Sequence, residues 1–350
     1  MTIADWLILA ARPIAPVLLT LLLVPIILWA ERRGAGLMQD RPGPNRVGFF
    51  GWRAFGLGQP LADALKFFFK EDVTPDNVDA FLYTLAPWIV MFSALVGFAV
   101  IPYGPTFSVR GHEIKLIGAD VPIGALFIFA MAGLSVYGIV LAGWASNNKY
   151  SLMGGFRSAA QVISYELAMT TAGAGVFLTS GSFRLSQVVS AQQGRWLGFL
   201  PRWNAVPQFL GFVIFTVAAF AETNRVPFDL AEADAELVAG YHTEYSSFKF
   251  AAFFMAEYVA MTVASAFIVT MYLGGWSIPF FHPHGALGAV ASVAIFAAKI
   301  AFFMWVFIWV RWTLPRFRYD QLMALGWKAL LPLSFLNLLW AAWLVRVGAL

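Results

Sequence analysis

Residues 14–30 read IAPVLLTLLLVPIILWA and run directly into Glu31-Arg32-Arg33. A cleaved secretory signal has a basic leader and ends in small residues, and this stretch has neither, so it reads as a retained membrane span. A bilayer core takes about 20 apolar residues per helix. Runs of that kind recur near 10–30, 82–101, 122–144, 158–179, 205–222, 250–273, 286–311 and 329–348. They are continuous rather than alternating, which excludes a membrane β-barrel. The expected fold is an all-α integral membrane protein, a bundle of about eight spans forming a single polytopic domain over residues 1–350.

Composition agrees with this reading. The chain is 60% hydrophobic and only 12% charged, against about 25% charged residues in an ordinary soluble domain. The net charge of +4 is scattered over short connections, so it reads as a topology signal rather than a nucleic-acid footprint. Loop one carries Arg32, Arg33, Arg41, Arg46, Arg53, Lys66 and Lys70, and loop seven Arg311, Arg316, Arg318 and Lys328, while the even loops are poorer in basic residues. By the positive-inside rule the odd loops are cytoplasmic and both termini lie outside. Within loop one, residues 57–70 put Leu61, Leu65, Phe68 and Phe69 on one helical face and Asp63, Lys66 and Lys70 on another. That pattern suits a helix lying in the membrane interface, or one packed on a neighbour.

Several chemistries drop out. With no cysteine there are no disulfides and no iron–sulfur ligands on this chain. The histidines, His112, His242, His282 and His284, all fall in loops, so no span offers an axial haem pair. His282 and His284 flank Pro283 and read as loop filling more readily than as a metal pair. The chain carries neither a phosphate loop nor a dinucleotide fingerprint.

The informative residues are ionisable groups in or at the ends of apolar runs: Glu166, Glu222, Glu257 and Lys299. Each charge at a helix centre costs roughly 2.5–3.5 kcal/mol on insertion, so four of them call for partners or a role. Glu166, Thr170 and Gly173 share a helical face with Ser158, and Lys249, Glu257 and Ser265 recur at intervals of eight. Each stripe should face the bundle interior. A static ion pair and a proton relay fit these residues equally. Loop five favours the relay, because Glu222, Asp229, Glu232, Asp234, Glu236 and Glu244 crowd around one internal base, Arg225. Carboxylates so crowded share protons. The apolar residues Val226, Phe228, Leu230, Leu237 and Val238 imply that part of the loop folds back onto the protein.

These loops are also where the sequence resembles a known family. Glu31-Arg32-Arg33, Arg41-Pro42-Gly43-Pro44-Asn45-Arg46-Val47-Gly48 and GQPLADALKFFFKED (58–72) are similar to the first cytoplasmic loop of the H-type subunit, the quinone-chamber membrane subunit, of bacterial respiratory complex I, the proton-pumping NADH:quinone oxidoreductase. GWASNNKYSLMGGFRSAAQVISYE (143–166), AETNRVPFDLAEADAELVAGYHTEYSS (221–247), FFMAEY (253–258) and RWTLPRFRYDQLM (311–323) follow in the family's order. The resemblance implies a bacterial inner-membrane subunit that roofs a quinone chamber opening to lipid between the first and sixth spans and the interfacial helix. Glu31, Arg32, Gln39, Arg41, Phe228 and Arg311 would line it. Glu166, Glu222, Asp229, Glu232, Asp234, Glu236, Glu257 and Lys299 would form the proton path. Quinone would be the substrate and no cofactor or metal would bind this chain. FMN and iron–sulfur clusters would sit on partner subunits, and the partners would be the peripheral-arm quinone module, antiporter-like membrane subunits and lipid, with no nucleic acid. One departure from the family lies at Gly133-Leu134-Ser135-Val136-Tyr137-Gly138, where some members place a glutamate just before the LxVYG stretch. The alternatives are an ion-conducting subunit of a membrane-bound hydrogenase, a secondary transporter, or a structural anchor.

Overall fold

Apolar runs broken by turn chemistry dictate the elements of the computed structural model, which describes residues 3–48, 53–109, 112–196, 200–232, 234–279 and 285–348. The His282 and His284 pair lies outside the described residues, as does the side chain of Asp234. Helix α1 spans Ile3–Met38, α2 Gln59–Phe69, α3 Ala80–Ala99, α4 Gly124–Ala145, α5 Lys149–Ser180 and α6 Leu185–Ala191. Helix α7 spans Phe209–Glu222, α8 Asp234–Leu237, α9 Ser247–Tyr272, α10 Gly285–Thr313, α11 Tyr319–Ala324 and α12 Leu331–Val347. A π-helical turn, Leu325–Leu330, joins the last two into one rod. Two short hairpins, β1 (Phe107–Val109) with β2 (His112–Ile114) and β3 (Arg195–Trp196) with β4 (Leu200–Pro201), lie in loops two and four.

Among the described residues, seven helices are long and apolar enough to cross a membrane, and α7 is a shorter eighth. Local chemistry sets several of their ends. The Asp79 carboxylate accepts from Leu82 N to start α3, and Asn148 accepts from Tyr150 N to start α5. Gly181, at φ 67°, ends α5 in the left-handed conformation that costs glycine nothing. Because α5 begins at Lys149 rather than near 158, the Lys149 and Arg157 region belongs to the helix, not to a loop.

The fifth span departs furthest from expectation. At 14 residues, α7 is about 21 Å long, short of the roughly 30 Å apolar core. Its entry is a non-helical turn that must satisfy its backbone without water. Side chains of α12 do so: Asn337 Oδ1 accepts from Gly211 N (3.0 Å) and Trp340 Nε1 donates to Pro207 O (2.8 Å), while Asn204 of the turn donates through Nδ2 to Met271 O of α9 (2.9 Å). Residues 205–208, expected within the span, form part of this turn.

Helix α9 is the most enclosed of the long apolar helices. Its own Phe253 and Tyr272 are fully buried, as are Tyr165, Phe215 and Phe307 on other helices. In α2, Leu61, Leu65, Phe68 and Phe69 are exposed, while Phe67 and Phe68 reach Phe250 and Phe248 of α9. The Ser247 hydroxyl donates to Phe67 O and Lys70 O, closing the end of α2 (both 2.9 Å).

Ion pairs sort the loops into two ends. Arg32–Asp63, Lys249–Asp72 and Arg157–Glu236 link loop one, the start of α5, loop five and the start of α9, and Arg316–Asp229 adds loop seven. At the other end Arg184 pairs with Asp120, and Arg195 Nε donates to Pro279 O. Because the chain has no cysteine, single replacements can read this arrangement. In sealed vesicles of one orientation, Lys66→Cys and Glu236→Cys should react with a membrane-impermeant maleimide from the same side, and Asp120→Cys only from the opposite side.

Candidate functional site

Loop five does fold back. Gln161, fully buried on α5, donates through Nε2 to Ala221 O (2.7 Å), Asn224 Oδ1 (3.1 Å) and Phe228 O (2.6 Å). Phe228 is buried edge-on against Tyr165 and packs on Phe317, and Phe317 N donates to Pro227 O. These contacts carry Arg225 into the interior, where it is 3% exposed.

A guanidinium there needs counter-charge, since desolvating an ion costs several kcal/mol. Arg225 Nη1 lies 3.5 Å from Glu31 Oε1 and Nη2 lies 3.3 Å from Glu257 Oε2. Its plane sits 4.3 Å from the ring centre of Tyr258. Arg311, from α10, also pairs with Glu31. Burial works against the Arg225 cation, yet Tyr258, Glu257 and Glu31 outweigh it and raise its pKa above the ordinary guanidinium range. Arg225 is therefore a fixed positive charge.

The carboxylates are the adjustable partners. Glu232 of loop five is a second acidic neighbour of Glu257. Tyr241 OH donates to Glu257 Oε1 at 3.5 Å. Burial, then Glu257, Glu232 and Asp229, push the Tyr241 phenol well above its ordinary pKa, so it remains a donor.

Beyond Glu257 lies a cavity of about 80 Å³ between α3, α4, α5, α7 and α9. Glu222 and Glu257 both line it, with Ser93, Ser135, Thr223 and Tyr241 as further polar groups among mainly apolar walls. Glu166 lies close enough to act electrostatically on Glu222. Its carboxylate packs on the bare backbone of Gly133, where a Cβ would stand 3.5 Å from Oε1.

The structure thus joins Glu31 and Glu257 to Arg225, with Arg311 reaching the group through Glu31, and joins Glu222 to them through the cavity. The other expected residues lie elsewhere. Arg32 pairs with Asp63 on α2. Arg41 is exposed beyond α1, and its Nε donates to the exposed Gln39 Oε1 (2.7 Å). Asp229 holds Arg316 (2.8 Å), and Glu236, exposed, holds Arg157. Lys299 sits at the even-loop end, donating to Leu273 O, Gly275 O and Ser277 O (2.7, 2.9 and 2.8 Å) above the Trp203 ring. The polar stripes are partly internal: Ser158 and Ser265 are fully buried, whereas Lys249 turns outward to Asp72.

Sequence reasoning missed Tyr258, Tyr241 and Gln161 and undervalued Arg225. The signal available was one arginine among six carboxylates in an apolar loop.

The family model for NADH dehydrogenase matches residues 13–342. The chain is also 46% identical over 314 residues to an NADH-quinone oxidoreductase H-type subunit of Cytophaga hutchinsonii, covering 89% of each chain. The chain belongs to the H-type subunit family of NADH-quinone oxidoreductase. It is therefore part of that oxidoreductase complex, and the Arg225 cluster is an internal feature of its H-type component. Removing the central cation should be severe. Arg225→Gln leaves Glu31 and Glu257 without their shared counter-charge and should cost about 3–5 kcal/mol, read as a lower unfolding temperature and loss of the chain from the purified complex.

Proposed function

We propose that this H-type subunit forms much of the quinone chamber and passes the charge change of quinone reduction to a chain of buried carboxylates. The observation that carries the reading is the sharing of one cavity by Glu222 and Glu257, with Glu257 also in the Arg225 cluster. A negative charge arriving near Glu31, Arg311 and Arg225 competes with Glu257 for the fixed cation. Released from Arg225, Glu257 becomes a better proton acceptor; the crowded Glu232 supplies the proton, and Tyr241 keeps its own and holds Glu257 by hydrogen bond.

On this reading Glu31, Arg32, Gln39, Arg41, Phe228 and Arg311 line the chamber or its mouth. Exposed Arg41 and Arg32 offer permanent charge and a rigid donor fork to a quinone oxygen or carboxylate. Asp229, Glu232, Asp234 and Glu236 feed the path, Glu222 and Glu166 continue it, and Lys299 fixes the turn between α9 and α10. The exposed apolar face of α2 rests in the lipid interface. The odd loops face the cytoplasm of a bacterial inner membrane, as the basic residues argue. Partner subunits of the peripheral arm carry the FMN and iron–sulfur clusters that bring electrons, and antiporter-like subunits receive the protonation change.

In the intact complex reconstituted into vesicles, Glu222→Gln and Glu257→Gln should assemble and lose most proton pumping. Arg41→Ala should weaken quinone reduction. Normal turnover and normal pumping by all three variants would refute the site.

A further inference from the structure

The cavity holding Glu222 and Glu257 ends in aromatic rings. Phe129 of α4, Phe215 of α7 and Phe267 of α9 all line it and are 6%, 1% and 3% exposed. Their rings meet in a closed triangle, with centroids 6.5 Å apart for Phe129–Phe215, 5.3 Å for Phe129–Phe267 and 5.5 Å for Phe215–Phe267, all edge-to-face. Gly173 of α5 packs against two of them, Phe129 and Phe215, each about 3.5 Å from where a Cβ would stand. Along α7, Phe215 lies about 10 Å from Glu222 toward the even loops, at 1.5 Å per residue.

Beyond the triangle the interior becomes polar again. Gln208 Nε2 donates to Gly175 O (3.2 Å) and Thr179 Oγ1 (3.1 Å). Gln208 Oε1 and Asn337 Nδ2 are buried without hydrogen-bond partners, and both face Gly175, where a Cβ would stand 2.6 Å and 3.0 Å from them. The bare Gly175 backbone lets these two amide side chains pack closely against α5 and form a polar layer. Two polar layers therefore lie on one axis through the bundle, separated by three rings.

We infer that the Phe129–Phe215–Phe267 triangle is an insulating floor. It denies the carboxylates a path along the bundle axis to the even-loop side, so protons on Glu222 and Glu257 leave only sideways. The inference rests on the proposed carboxylate relay. Its physical basis is that a proton needs a continuous chain of water or hydroxyl groups, and a tight apolar constriction excludes water. Without such a floor, a proton gained from the cluster would cross this chain passively.

The test uses the whole complex in lipid vesicles without NADH, an imposed membrane potential and an internal pH dye. Phe215→Ser should speed proton entry about tenfold, equivalent to a barrier lowered by about 1.4 kcal/mol, with NADH:quinone electron transfer preserved. Phe215→Leu should remain tight. Phe267→Ser provides an independent opening of the same floor. If neither serine variant assembles, Phe129→Val decides, because it shortens one side of the triangle and must leak above the unsubstituted complex. Assembled variants as tight as the unsubstituted complex would overturn the inference. The Phe215→Ser leak measured in a Glu222→Gln background separates the two readings. Loss of the leak supports floor and relay together, whereas an unchanged leak retains the floor and removes Glu222 as its proton source.

Discussion

The structure depends on one buried cation. Arg225 enters the bundle on a loop rather than a helix, which is possible only because Glu31 of α1 and Glu257 of α9 neutralise it and Tyr258 faces it. Arg311 of α10 joins through Glu31, so four parts of the chain meet at a single electrostatic knot. Buried ion groups of this kind are poor devices for stability alone, since apolar replacements often do as well. On the proposed reading, their value is that a fixed charge with two carboxylate partners responds when a third negative charge approaches.

Geometry turns that response into direction. Glu257 belongs both to the cluster and to the cavity that Glu222 also lines, which on the proposed reading carries a change at Arg225 to Glu222. The short α7 places Glu222 at its odd-loop end, and its polar entry is sealed by Asn337 and Trp340 from α12. Aromatic packing fills the length between. Lys299, at the far end, spends all its donors on the carbonyls that follow α9, which suits an anchor for the turn between two long helices.

Much of this was legible in the sequence and some was not. Span count, helix class and a helix within residues 57–70 follow from apolar run length and period, and the motifs of loops one, three, five and seven were enough to identify the family. The short α7 was hidden because residues 205–208 are compatible with a span, and the Asn337 that ends the need for helix there lies more than a hundred positions away. The Arg225 cluster was hidden for the same reason: its partners at 31, 257 and 311 come from distant helices whose rotation no local pattern fixes. Lys299 looked like a relay member because it is a charge in mid-span, and only the backbone of residues 273–277 reveals three acceptors around it.

The central claim is that cavity carboxyl groups change protonation when quinone is reduced. Infrared difference spectroscopy of the intact complex, between oxidised and quinol-bound states, reads this directly in the carbonyl stretch of protonated carboxyl groups. The account predicts a difference band there that disappears in Glu257→Gln and shifts or weakens in Glu222→Gln. An identical band in both variants and the unsubstituted complex would contradict it.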